Sequence, residues 1–195
     1  MNQKEKIAKV IRIISVPPVM VTTLLLILAG QRGTIFHNVW ELIITLFLLG
    51  VVPVLAYPLQ KVIPSLGNSV REGQRELAFL LNFISYTVAF LWAVMSEVSW
   101  SLGLICMTYF LSVVLLLVCN KILHFRASGH ACSVTGPLLL LIRFIGWETI
   151  IPCVAFGALV VWSSLYLKRH TKKELAAGVM ACVIAFAISA LTFHV

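Results

Sequence analysis

Apolar residues fall along this chain in long runs, not in alternation. Seven such runs stand out, at residues 10–29, 39–57, 76–96, 100–119, 130–146, 148–167 and 174–194. Each approaches the roughly 20 apolar residues a helix needs to cross about 30 Å of hydrocarbon. Polar residues collect between the runs. The pattern predicts an all-α polytopic transmembrane helix bundle of about seven spans, with residues 1–195 forming a single integral membrane domain. Pro17-Pro18 should kink or shorten the first span. A tight turn near Gly146 separates the fifth run from the sixth.

Composition agrees with the runs. The chain is 61% hydrophobic and 11% charged, with a mean hydropathy of +1.02, more apolar surface than a soluble domain of this size can hide. The first 30 residues lack a clear small-x-small cleavage site, so the first apolar run is expected to be retained. The five cysteines are scattered through apolar runs without a CxxC pair and read as small buried hydrophobes. The sequence contains no Asp, which removes many metal sites and Asp-rich prenyl-diphosphate motifs.

The net charge of +8 could suggest nucleic acid as a partner. Its placement argues for topology instead. Thirteen of the fifteen Lys and Arg lie at the N-terminus, up to Arg12 at the start of the first run, or in the segments 58–75, 121–126 and 168–173; only Arg32 and Arg143 fall toward the other side. Positive charge collects on the cytoplasmic side of membrane proteins, so the N-terminus and these three loops are expected there. Glu41, Glu97, Arg143 and Glu148 sit near the ends of runs, with none clearly at mid-membrane. That disfavours an ion-coupled transporter.

Two polar clusters have chemical potential. In "NKILHFRASGHACSVTG", residues 120–136, Lys121 and Arg126 supply positive charge and Ser128 can cap the next helix. Gly129 permits close approach of a ligand, and His130 stands in the first turn, where free backbone N–H groups favour phosphate. In "WSSLYLKRHTKKELAAG", residues 162–178, Thr171 and Glu174 have capping-box spacing. His170 and Glu174, four apart, can share a face, and a carboxylate beside a His fixes its tautomer and strengthens it as base or nucleophile. Two spans separate the clusters, so both lie on one membrane face. His37, His124 and His194 read as ordinary interfacial histidines, and Lys168, Lys172 and Lys173 as topology and anionic-lipid contacts.

Over residues 100–195 the chain resembles the type 2 phosphatidic acid phosphatase superfamily. "RASGH" is similar to its second signature, P-S-G-H, and "SSLYLKRHTKKELAAG" to its third, S-R-x5-H-x3-D. The departures are specific. The first signature, K-x6-R-P, is compressed to K-x4-R; Ala127 replaces Pro; Ser164 stands where Arg is expected; Glu174 replaces Asp. The resemblance implies a metal-independent hydrolase without a cofactor, acting on lipid phosphates or diphosphates such as a polyprenyl diphosphate, phosphatidic acid or a phosphatidylglycerol phosphate. It implies His170 as the nucleophile that forms a phospho-histidine, His130 as general acid, and Glu174 as the group orienting the nucleophile. Lys121, Arg126, Ser128, Gly129 and Arg169 would bind phosphate oxygens. Substrate and membrane lipids would be the partners. The charge bias puts this site on the cytoplasmic face. The competing expectation, favoured by Ser164, is a catalytically weak or inactive member that binds lipid or acts as a scaffold.

Overall fold

The computed structural model describes residues 2–31, 35–62 and 70–193. Their regular secondary structure is all helical, without a strand among the described residues. Ten helices follow in order: α1 (Gln3–Ile14), α2 (Pro17–Ala29), α3 (Val39–Thr45), α4 (Val52–Val54), α5 (Ala56–Val62), α6 (Val70–Met95), α7 (Trp100–Leu117), α8 (Gly129–Ile145), α9 (Ile150–Tyr166) and α10 (Lys172–Thr192). A π-helical turn, Leu46–Val51, joins α3 to α4, and another, Val118–Ile122, extends α7. Arg32, part of the 58–75 segment and His194 lie outside the described residues.

Five helical stretches are long and apolar enough to cross a membrane: Val39–Gln60, Glu76–Met95, Trp100–Ile122, Trp147–Tyr166 and Lys172–Thr192. A sixth arises if α1 and α2 count as one broken span. The expected run at 130–146 is a shorter apolar helix, Gly129–Ile145.

The first run differs from its expected form. Instead of one kinked helix over 10–29, the chain makes two helices bent by 59°. Pro17 and Pro18 occupy the first turn of α2, where missing N–H groups do no harm. Their restriction of the preceding residues forces the break at Ser15 and Val16. α6 also starts at Val70, earlier than the run at 76, because Val70–Arg75 continues its polar first turns.

α7 is the central helix: 56% of its apolar window is buried, against 22–33% in the other four long stretches. It packs between α6 and α10. α10 meets α7 and α8 through Leu175, Gly178, Ala181, Cys182, Ala185 and Ser189. That face of mostly small side chains lets helices approach closely. Outward faces are apolar stripes, as with Leu80, Ile84, Val88 and Leu91 on α6 and Met180, Ile184, Ile188 and Leu191 on α10. Such stripes suit a hydrocarbon solvent. At one end of the bundle Ser99 Oγ donates to the Ile35 carbonyl and Trp100 meets Phe193 edge-on. The polar clusters gather at the other end.

Candidate functional site

The two clusters meet through backbone. The Ser128 N–H donates to the Glu174 carbonyl at 2.9 Å. Gly178, one turn on, makes this possible: a Cβ there would lie 2.2 Å from the Ser128 carbonyl oxygen. Ser128 is fully buried, and its Oγ accepts from the Ala131 N–H at 3.2 Å, capping α8. It is thus a positioning group and does not line the cavity described below.

The chain leaves α9 through Lys168, which has φ +51°, and the Arg169 N–H donates to the Ser164 carbonyl. This turn delivers His170 to the start of α10. The capping box forms: Glu174 N–H donates to Thr171 Oγ1 at 3.3 Å, and Thr171 N–H to Glu174 Oε2 at 3.1 Å. The same Oε2 lies 3.0 Å from His170 Nδ1. A carboxylate oxygen only accepts, so Nδ1 carries the proton and Nε2 keeps its lone pair. Glu174 Oε1 faces Arg126 Nε at 3.9 Å. One carboxylate therefore caps a helix, orients an imidazole and holds a cation.

His170 is half-buried. Its pKa is lowered from the ordinary imidazole value, chiefly by burial and also by the positive charges of Arg12 and Arg126. The hydrogen bond and charge of Glu174 oppose that shift without cancelling it.

His130 and His170 line one cavity of about 880 Å³. Lys121, Arg126 and Gly129 also line it; Lys121 reaches the rim, where its Nζ is 3.7 Å from Glu76 Oε1. Arg169 is exposed and lies outside the cavity wall. Ser164 is buried on α9, away from the cavity, and its Oγ has no partner among the described residues.

Two wall residues, Arg12 and His124, and a buried residue behind the wall, Ser15, were not anticipated. Arg12, from α1, enters the cavity and lies close enough to both imidazoles to act on them electrostatically. Ser15, at the α1–α2 break, places its Oγ 3.1 Å from His130 Nε2 and 3.3 Å from the Arg12 carbonyl. With its proton on that carbonyl, the hydroxyl accepts from His130. His124, expected to be an ordinary interfacial histidine, also lines the cavity and holds φ +50°. The signal for Arg12 and Ser15 was available only indirectly. Pro17-Pro18 marks the break that brings α1 over the site, but no motif marks the residues themselves.

α1 is held there by α9: the Ser163 Oγ donates to the Ala8 carbonyl at 2.7 Å. The cavity continues inward between α6 and α7, past Phe79, Phe83, Tyr86 and Tyr109. Its shape is therefore amphiphilic, with a cationic, imidazole-bearing mouth and a largely apolar interior. Among the described residues no three His, Cys, Asp or Glu side chains group as a metal site.

Comparison of the chain with protein-family models, with curated proteins and with solved structures finds no match.

Proposed function

We propose that this chain is an integral membrane phosphatase acting on lipid phosphates or diphosphates, and a divergent member of the type 2 phosphatidic acid phosphatase superfamily. One observation carries the reading. His170, held by the Glu174 carboxylate behind it, and His130, from motifs forty residues apart, line the same cavity with Arg12, Lys121 and Arg126 at its mouth. That set is what phosphate-ester cleavage requires without a metal: a nucleophile, a proton donor and fixed positive charge.

In this reading the phosphate lies among Arg12, Lys121, Arg126 and the amides at the start of α8, with the lipid tail between α6 and α7. His170 Nε2 attacks phosphorus. The N–P bond forms as the bond to the lipid oxygen breaks, and His130 passes a proton to that leaving oxygen. The phosphate dianion is the counter-charge that holds His130 as imidazolium. Water then attacks the phospho-histidine, His130 takes up its proton, and phosphate leaves. Glu174 holds the imidazole in the tautomer whose Nε2 is free. Arg12 supplies the guanidinium that Ser164 does not, from a different helix.

Counting α2 and α8 as crossings gives seven spans, with the cavity mouth on the cytoplasmic face by the Lys and Arg bias. The competing reading, a lipid-binding relative without turnover, rested on Ser164. Arg12 in the cavity, a guanidinium from another helix, is what supports turnover over that reading.

The test is hydrolysis of phosphatidic acid and polyprenyl diphosphate by the purified chain in detergent with EDTA present. Activity should survive chelation, be blocked by vanadate and vanish in His170→Ala, and radiolabelled phosphate should be trapped on His170 of the wild type. Strict dependence on a divalent ion, or no labelling, refutes the proposal.

A further inference from the structure

All five cysteines are free thiols, and two of them meet. Cys132 on α8 and Cys182 on α10 are both buried, pack in one cluster and are hydrogen-bonded to each other. Helix register explains the meeting. α8 and α10 both start at the cavity end and run parallel. The close approach of Ser128 to Gly178 recurs one turn along as Cys132 beside Cys182. Cys182 Sγ also lies 3.4 Å from where a Cβ on Gly136 would stand. From α7, Ser112 Oγ donates to the same sulfur at 3.6 Å.

Two features set this pair apart from cysteines that only fill space. First, Cys132, Cys182 and Ser112 line the cavity, whereas Cys106, Cys119 and Cys153 do not. Second, the groups are complementary. Cys182 has a hydroxyl donor at its sulfur to steady charge as it attacks, and a second thiol in contact to resolve the product. Hydrogen-bonded thiols on close-packed helices come within bonding distance by side-chain rotation. The surroundings choose the reagent. Phe79 and Leu116 pack against the pair and line the cavity at this level, so an oxidant with a hydrocarbon body gains by entering, and a small polar one does not.

We propose that Cys132 and Cys182 form a redox thiol site that reduces a lipophilic organic hydroperoxide and closes a Cys132–Cys182 disulfide between α8 and α10. Cys182 Sγ attacks the terminal peroxide oxygen. The S–O bond forms as the O–O bond breaks, and the thiol proton goes to the departing oxygen, which leaves as an alcohol. Cys132 Sγ then attacks the sulfenic sulfur. The S–S bond forms, the S–O bond breaks, and the hydroxyl leaves with the Cys132 proton as water. The sulfurs are oxidised and the hydroperoxide is reduced; an external dithiol restores both thiols. The site is separate from the phosphate chemistry and does not depend on it.

The experiment treats the reduced full chain in detergent with cumene hydroperoxide or hydrogen peroxide at equal concentration. Samples are quenched with a maleimide and mapped by peptide mass spectrometry. Cumene hydroperoxide should consume two of the five thiols, release one equivalent of cumyl alcohol and leave a Cys132–Cys182 bond that dithiothreitol reverses. It should act about ten-fold faster than hydrogen peroxide, the factor gained by burying two of its carbons. Cys132→Ala should stop at a sulfenic acid that dimedone traps on Cys182, and Cys182→Ala should give no such adduct on Cys132. Oxidation spread equally over Cys106, Cys119 and Cys153, a bond between any other pair, or hydrogen peroxide acting as fast overturns the proposal. The wild-type map decides this without the variants. Lipid phosphate hydrolysis enters none of these readouts, so its absence would leave the thiol site standing.

Discussion

His170 is defined by opposing influences, and these give its variants distinguishable signatures. Burial, Arg12 and Arg126 favour the neutral imidazole; Glu174 favours the charged one. The net shift is downward, so Nε2 stays unprotonated below the ordinary imidazole value of 6.5, and the acid limb of the kcat/KM profile should lie below that point. Arg12→Ala removes a charge that opposes protonation. The His170 pKa rises and the acid limb moves to higher pH, while the lost phosphate contact costs roughly 10- to 100-fold in kcat/KM. Glu174→Gln removes what favours protonation, so the limb moves to lower pH and kcat falls through loss of orientation. A pH profile of the two variants checks this; shifts of the same sign would contradict the assignment. His37 shows why the sequence pattern alone does not suffice. It too stands four residues before a glutamate, with Nδ1 3.2 Å from Glu41 Oε1, yet it does not line the cavity with the second imidazole and the guanidinium. The pairing at 170–174 was legible as local spacing. The contribution of Arg12 was not, because it depends on where a bent helix lies relative to residues more than a hundred positions away.

At the level of elements, the site depends on how closely α10 approaches the start of α8. Gly178 sets that distance, since the atom a Cβ would strike is the Ser128 backbone carbonyl, which cannot rotate aside. Gly178→Ala must separate the helices or strain them, at about 1–3 kcal/mol. It also weakens the Ser128 N–H to Glu174 carbonyl bond that fixes the spacing of the two histidines. The expected result is a lower Tm in detergent and a larger fall in kcat than in lipid binding. Gly157→Ala is the control: its Cβ would meet Leu138 Cδ1 at an ordinary 3.5 Å, so the Tm should hold or rise, as Ala favours helix over Gly. Differential scanning fluorimetry with activity on the same samples reads both. The helices themselves were legible because apolar runs of this length have few other fates. Their interruptions were less so. The π-helical turns and the early start of α6 change no hydropathy, and nothing in the residues around Ser15 distinguishes a 59° bend from a mild kink.

Across the whole molecule, charge and fold point the same way. Lys121, Arg126, Lys168, Arg169, Lys172 and Lys173 all sit at the cavity end of the bundle, joined by the basic residues of α1. α1 exposes Ile7, Val10, Ile13 and Ile14 and buries Ala8 and Ile11 against the bundle. A short helix with exposed apolar residues, basic residues and an axis 59° from the next helix fits a position in the membrane interface, lying across the bundle end. There it can offer Arg12 to a headgroup while the tail stays in lipid. The orientation is testable in inside-closed cells with a membrane-impermeant maleimide, taking the wild-type chain with its five native cysteines as background. A cysteine at Lys172, at the cavity end, should label only after the membrane is opened. A cysteine at Glu148, beyond the Gly146 turn at the far end, should label from outside. The reverse pattern would place the cavity on the outer face, and the substrate would then be a lipid phosphate of the outer leaflet.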